Sequence, residues 1–234
     1  MSHPDIVDIT PLTLSDYPEK VACILWFNNC NLRCKYCYNT SLVLPSITRD
    51  NQAVDYLSFL RKRKDFLDGV VLSGGECTLC PDIQIICKQI RDLGFLIKID
   101  TNGTSPDVIR QLIENKLVDY IALDYKAPQG LFSEITGKKD LFQNFSQTLD
   151  LLIQSEIEFE VRTTIHPDLL DESAVNLIID DLVSRNYQGT YYLQYYFHLP
   201  KNLGRLSEPT QAFSMEKLSD KINVELRNFS DLYH

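Results

Sequence analysis

Three cysteines stand in one short segment, Cys30-Asn-Leu-Arg-Cys34-Lys-Tyr-Cys37. Three thiolates so close together can hold three irons of a four-iron, four-sulfur cube. The fourth iron is then without a protein ligand, whereas ordinary cube carriers supply four cysteines. A cube with one open iron suits a cluster that binds a substrate. The plainer alternatives are three ligands of a zinc knuckle or a buried apolar cluster. Zinc needs a fourth nitrogen or sulfur ligand, and Cys23, upstream, lies inside an apolar run. A second pair, Cys77-Thr-Leu-Cys80, invites a redox or second-cluster reading. A second cube would need two more thiolates, and the remaining Cys23 and Cys87 sit in an apolar run and on an apolar helix stripe.

Other polar residues gather where apolar runs end. Ser73-Gly74-Gly75-Glu76 closes one run, and its two glycines remove side chains where a ligand must approach the backbone. Ile99-Asp100-Thr101-Asn102-Gly103 closes the next, Asp124-Tyr125-Lys126 a third, and Arg162 lies within Val161-Arg162-Thr163-Thr164. His198 follows a further run. Each has a structural alternative: a tight turn for the glycines, an ion pair for the charged residues, a rim histidine bonded to backbone for His198. Tyr36 and Tyr38 flank Cys37 and can pack on an aromatic ligand ring, or simply cover the loop.

The elements that must position these residues alternate. Apolar runs at 21–27, 69–73, 95–101, 119–125, 157–165 and 190–197 read as six strands. Helical stripes lie between them: Ala53, Val54, Leu57 and Leu60; Ile83, Ile86, Cys87 and Ile90; Val108, Ile109, Leu112 and Ile113; Phe145, Leu149 and Leu152; Val175, Ile178, Ile179 and Leu182. A last stripe, Met215, Leu218, Ile222, Leu226 and Phe229, reads as a closing helix. Gly94 is placed to end one helix, and Ser105 with Pro106 to start another. Six β-then-α units imply a parallel sheet with right-handed crossovers. Several runs alternate apolar with polar residues: Lys98, Asp100, Asn102; Asp124, Lys126; Glu158, Glu160, Arg162, Thr164; Gln194, Tyr196, His198. A period of two puts each set on one side of its strand. A sheet covered by helices on both faces should be apolar throughout. The alternation therefore favours an incomplete (β/α)6 barrel of TIM type, with a polar interior and chemistry at the C-terminal strand ends.

The 234 residues are 44% hydrophobic and 24% charged, with net charge −9, a globular composition. No repeat or linker marks a boundary, so residues 1–234 read as a single domain. The acidic balance argues against nucleic acid as a partner, and no run is long enough to cross a membrane. The opening has no signal-peptide pattern. A cytoplasmic place follows, where seven cysteines point to metal or redox chemistry rather than disulfides.

The CxxxCxxC spacing with an aromatic before its last cysteine resembles the signature of the radical S-adenosylmethionine (SAM) superfamily. The resemblance implies an oxygen-sensitive oxidoreductase. The [4Fe–4S] cluster would sit on Cys30, Cys34 and Cys37, and SAM would chelate the open iron. An electron then splits the sulfonium C–S bond, giving a 5′-deoxyadenosyl radical that abstracts hydrogen. By the same likeness Gly74, Gly75 and Glu76 hold the SAM amino group. Thr101, Asn102, Asp124, Lys126 and Arg162 contact its ribose or methionine end, and His198 also contacts SAM in some relatives. Asp100, Thr101 and Asp124 could frame a monovalent cation beside the SAM carboxylate, being hard oxygen ligands.

The stretch from Asp8 to Val21, with Tyr38-Asn39, DTNG, DxK and VRTT, resembles activating proteins of anaerobic ribonucleoside-triphosphate reductases. That likeness implies a glycyl radical placed on a partner enzyme under anaerobic conditions, fed by a low-potential donor such as flavodoxin or ferredoxin. Two residues depart from the pattern: Glu19 stands for the usual Gly, and Cys77 for the common Pro. The rival readings are a small-molecule radical SAM enzyme resembling carboxydeazaguanine synthases, which lack the TLxDxP opening and DxK, and a non-enzymatic iron–sulfur electron carrier.

Overall fold

A computed structural model describes residues 3, 5–44 and 54–228. The chain forms an α/β fold around one sheet whose eight strands lie side by side in sequence order. They are Ile6–Thr13 (β1), Ala22–Phe27 (β2), Gly69–Gly74 (β3), Leu96–Thr101 (β4), Tyr120–Asp124 (β5), Glu158–Ile165 (β6), Tyr191–Tyr195 (β7) and Val224–Arg227 (β8). β1 pairs antiparallel with β2, while β2–β3, β3–β4, β6–β7 and β7–β8 pair parallel. β1 and β8 are the edges. The helices are Thr40–Val43 (α1), Tyr56–Arg61 (α2), Ile83–Asp92 (α3), Pro106–Glu114 (α4), Gln129–Thr136 (α5), Phe142–Gln154 (α6) and Glu172–Ser184 (α7).

Six strands match the expected runs to within two residues at each end. β1 was not expected, because its alternating, Pro-containing sequence reads as a motif rather than a strand. The expected closing helix is not there. Met215–Lys217 is one 3-10 turn, and Val224–Arg227 is β8, paired Leu193↔Leu226 with β7. Pairing with an available sheet edge outweighs a helical stripe. Ala53 and Phe229 lie outside the described residues.

The chain divides into two compact units. The first comprises the described residues within 1–31, 41–101 and 105–122. In its core, buried Tyr17, Ala22, Ile24 and Val71 are packed by Trp26, Leu96 and Tyr120. The buried face of α3 is the expected Ile83, Ile86, Cys87 and Ile90. Gly94, at φ +93°, follows α3 and donates its N–H to Arg91 O, as expected of a helix stop. Ser105 occupies the N-cap of α4, with Pro106 just inside, but its side chain makes no capping bond.

The second unit comprises residues 32–40, 102–104 and 123–234. Here Tyr125 stacks edge-on against Phe145, with ring centres 4.5 Å apart, and donates to Asp181 at 2.9 Å. Asp181 in turn holds Arg185, which also reaches Asp150 at 2.6 Å. The expected stripes of α6 and α7 are buried: Phe145, Leu149 and Leu152, then Val175, Ile178, Ile179 and Leu182.

Candidate active site

In the first unit several of the residues expected to do chemistry follow the C-terminal ends of β2, β3 and β4. β2 runs into Asn28, Asn29 and then Cys30. Asn29 adopts a left-handed conformation, φ +65°, which Asn tolerates better than most residues. Its N–H donates to Leu42 O at 2.7 Å, and its carbonyl accepts from Glu76 N–H at 2.7 Å. Gly75 presses against this carbonyl: a Cβ there would stand 1.9 Å from Asn29 O. Gly74, at φ +121°, would place a Cβ 2.5 Å from Phe27 O. The two glycines are thus required by the approach of the chain's own backbone, at the strand end that carries Cys30.

Glu76 is buried and serves as N-cap of the 3-10 turn Cys77–Leu79. Its Oε1 accepts from Thr78 N (3.2 Å), Thr78 Oγ1 (2.6 Å) and Thr101 Oγ1 (2.8 Å). Several donors on one carboxylate compensate its burial, and they tie the end of β3 to the end of β4. Asp100 accepts from Ser73 Oγ at 3.0 Å and pairs at 2.5 Å with the buried Lys98 ammonium. The polar face expected of Lys98 and Asp100 is therefore an ion pair, and a cation at Asp100 must compete with a fixed ammonium.

The other cysteines of this unit are free thiols. Cys77 is fully buried, its Sγ 3.6 Å from Asp100 O, and burial pushes its thiol well above the usual value. Cys23 and Cys87 are buried too, and burial raises both to about 12.

In the second unit a tight turn joins Cys34 and Cys37, Cys37 N–H donating to Cys34 O at 3.0 Å. Two segments hold this turn by its backbone. The last-turn carbonyls of α5 accept from it: Arg33 N–H bonds Thr136 O (2.8 Å), and Lys35 N–H bonds Ile135 O (2.9 Å). Orphan carbonyls at a helix end are thereby satisfied. From the other direction Leu203 N–H donates to Cys37 O (3.0 Å) and Gly204 N–H to Lys35 O (2.7 Å). The strap carrying Leu203 and Gly204 is knotted by buried Asn202. Its amide donates to Tyr196 Oη, Leu199 O and Leu206 O and accepts from Leu206 N–H. Gly204 packs so close that a Cβ would meet Lys35 O at 2.7 Å.

Tyr36, buried between these cysteines in sequence, donates to Lys126 O at 3.4 Å, and the Lys126 ammonium lies 6.0 Å from its ring centre. Burial raises the Tyr36 hydroxyl well above its ordinary value. Asp124, at the end of β5, holds both neighbouring cations, Lys126 Nζ at 2.9 Å and Arg162 Nε at 2.5 Å. Burial works to raise its carboxyl, but Arg162 and Lys126 outweigh burial and hold it far below the carboxylate range. Burial likewise works to lower Lys126, and Asp124 reverses this and raises it. Arg162 also approaches Glu160 at 3.9 Å, and Glu160 takes a two-pronged bond from Arg227 of β8. Burial raises the Cys37 thiol, while Lys126 and Arg33 oppose that rise.

Asn102 Oδ1 accepts from Thr104 N–H (3.0 Å) and Thr104 Oγ1 (2.6 Å), closing a turn in which Gly103 takes φ +73°. His198 does not end a strand as expected: β7 stops at Tyr195, and His198 is exposed beyond it, 6.1 Å from the Tyr196 ring. Tyr38 is half exposed.

Sequence reasoning missed Asn29 and the Asn202–Gly204 strap, and named Ser73 without its bond to Asp100. Asn-Leu-Gly was the available signal for the strap, a turn-forming pair around one apolar residue. The pairing of Asp124 with Arg162 joins residues 38 apart, which no local pattern reveals.

The profile of the radical SAM superfamily matches residues 24–179. The chain belongs to the radical SAM superfamily. It is 33% identical over 177 residues to a Methanocaldococcus jannaschii protein named as a glycyl-radical enzyme activating enzyme, covering 71% of this chain and 70% of the relative. It is 29% identical over 173 residues to the pyruvate formate-lyase-activating enzyme of Clostridium pasteurianum, with the same coverage. Among solved structures, Streptococcus suis SuiB bound to S-adenosylmethionine superposes with a TM-score of 0.62 at 15% identity, over 85% of this chain. The chain spans about half the length of that structure, 48%. This chain is thus a radical SAM enzyme, and its family's cofactors are a [4Fe–4S] cluster and SAM. No helix among the described residues is long and apolar enough to cross a membrane.

Proposed function

We propose that this radical SAM enzyme is an activase that places a glycyl radical on a partner enzyme, the partner being an anaerobic ribonucleoside-triphosphate reductase. The observation that carries the activase reading is the likeness to glycyl-radical activating enzymes over 71% of the chain. The Asp8–Val21 opening and Tyr38-Asn39 favour the reductase as partner.

Cys30, Cys34 and Cys37 would hold the cluster. The Cys34–Cys37 turn fits that group: soft sulfur donors, a backbone held from two directions, and the Lys126 and Arg33 cations, which partly offset the burial that raises the Cys37 thiol. When bound, the cluster and SAM supply a 5′-deoxyadenosyl radical able to take hydrogen from a glycine Cα.

The chain's own residues bind and orient. The Gly74–Gly75 backbone and Glu76 would receive the SAM amino group. Thr101, Asn102, Asp124, Lys126 and Arg162 would receive its ribose and methionine end, with Tyr36 near the adenine and His198 at the rim. Asp100, Thr101 and Asp124 would take a monovalent cation. A flavodoxin- or ferredoxin-type protein would deliver the electron.

The test is anaerobic incubation with SAM, a low-potential reductant and the reductase from the same cell. A doublet glycyl signal in electron paramagnetic resonance, with release of 5′-deoxyadenosine, supports the reading. SAM cleavage with no glycyl signal on any candidate, but turnover of a pterin-like small molecule, overturns it in favour of a synthase.

A further inference from the structure

Cys80 has no part in the proposed cluster, and its surroundings differ from those of the other spare cysteines. His3, Asp5 and Cys80 bring one imidazole nitrogen, one carboxylate oxygen and one sulfur within 4.8 Å of one another. The residues are far apart in sequence. His3 and Asp5 precede β1, and Cys80 follows the 3-10 turn after Glu76. Cys80 is buried, while His3 and Asp5 are part-exposed, so the group has a closed side and an entry side.

The orientation of His3 is fixed on both nitrogens. Asp5 N–H donates to Nδ1 at 3.2 Å, so Nδ1 carries the lone pair, and Nε2 lies 3.1 Å from Asp82 Oδ2, where its proton donates. Nδ1 is also the nitrogen near the Asp5 carboxylate, 3.9 Å from Oδ2. A histidine whose far N–H is held by a carboxylate is the usual arrangement around a ligated metal, since it fixes the tautomer and raises basicity.

The geometry points to a zinc-class divalent metal site formed by His3 Nδ1, the Asp5 carboxylate and Cys80 Sγ, with Asp82 as the orienting carboxylate and water as the fourth ligand. Mixed nitrogen, oxygen and sulfur donors are the borderline set that Zn2+ takes in tetrahedral geometry. Among the ligands, a doubly charged cation, one thiolate and one carboxylate sum to zero, which suits a partly buried place, while the further negative charge of Asp82 sits on a side chain that is 55% exposed. On binding, the Cys80 S–H proton leaves to solvent and its hydrogen bond to Asp5 is lost, the Nδ1 lone pair passes from the Asp5 N–H to the metal, the sulfur–metal bond replaces S–H, and no electron is transferred. Burial and the Asp5 hydrogen bond hold the metal-free thiol protonated at about 12, so the metal must displace that proton. Such a site would clip the segment before β1 to the turn that follows Glu76.

The test measures metal content of the cluster-loaded holoenzyme after addition of Zn2+ and gel filtration, without SAM or partner. About one zinc per chain is expected beside about four irons. Cys80→Ser and His3→Ala should lose the zinc and keep the irons, and His3→Ala, at a part-exposed residue, guards against a folding defect. Asp82→Asn should weaken zinc about tenfold to a hundredfold. Cys77→Ser should keep the zinc, because its sulfur faces Asp100 O. Wild type that retains no more zinc than Cys80→Ser and His3→Ala overturns the proposal. So does zinc that disappears with Cys30→Ala instead, which would belong to the cluster loop.

Discussion

Replacing Asp124 by Ala removes an anion that pairs with both Lys126 and Arg162, and the cost can be worked from their burial. Asp124, Lys126 and Arg162 have side chains only 22%, 17% and 13% exposed. Removing one partner of a buried pair costs about 3–5 kcal/mol, because the remaining charge is left uncompensated. Partial exposure, and the Glu160 carboxylate 3.9 Å from Arg162, place the expected cost at the lower end, about 3 kcal/mol. For a chain of this size that corresponds to a fall in Tm of about 6–12 °C. The assay is thermal unfolding of the cluster-loaded protein under anaerobic conditions. Arg162→Ala should cost less, since Asp124 keeps Lys126. The double variant should cost less than the sum of the singles, because deleting both also removes the Arg162 charge that Asp124→Ala alone deprives of its Asp124 pairing. The pH dependence has a definite sign. The folded carboxyl lies below its unfolded value of about 3.9, so its stabilisation is complete above that value and is lost as pH falls through and beneath it. A Tm for Asp124→Ala within a degree or so of wild type, or single effects that simply add, would refute this account.

Three further outcomes are expected. Ala at Cys30, Cys34 or Cys37 should each reduce bound iron from about four per chain to near zero, whereas reconstituted wild type holding about eight would mean two cubes. Cys77→Pro should keep its cluster and its SAM cleavage, because residue 77 is the first position inside the 3-10 turn capped by Glu76, where Pro is tolerated; loss of 5′-deoxyadenosine formation in a folded, cluster-bearing variant would count against this. Gly75→Ala should destabilise by about 3 kcal/mol, the upper range for overpacking, since its Cβ would meet the Asn29 carbonyl. Urea unfolding reads the stability, and iron content should fall with it because Asn29 leads into Cys30.

Legibility varied with the range of the interaction. The six apolar runs could be read as strands because each is short, rich in Val, Ile and Leu, and bounded by turn residues. The cysteine triplet stands out in the sequence because its three thiols are local. Edge strands were the blind spot. β8 carries a period close to that of a helix, and only the Leu193↔Leu226 register with β7 decides its conformation. Of the polar strand sets, Lys98 and Asp100 do share β4, but β7 stops at Tyr195, so Gln194, Tyr196 and His198 are not one strand face, and the pairings were not read. Lys98 with Asp100 is an i, i+2 pair on one strand, open to inference, whereas Asp124 with Arg162 depends on β5 and β6 meeting. The GGE glycines were expected to make room for a ligand; they make room first for the Phe27 and Asn29 carbonyls.

The strictly consecutive order of the strands bears on how the protein is made. Each strand pairs with the one synthesised just before it, so the sheet can grow at a single advancing edge as the chain emerges, with little loop-closure entropy at each addition. The cysteine loop leaves the ribosome between the second and third strands, early in that growth. Leu203 and Gly204, whose amides fasten the loop from the other direction, are made more than 160 residues after Cys37. For most of its synthesis, then, the loop proposed to receive iron lacks its final fastening, and a nascent chain stalled before residue 203 would present its thiols to an iron–sulfur delivery system more openly than the finished protein does.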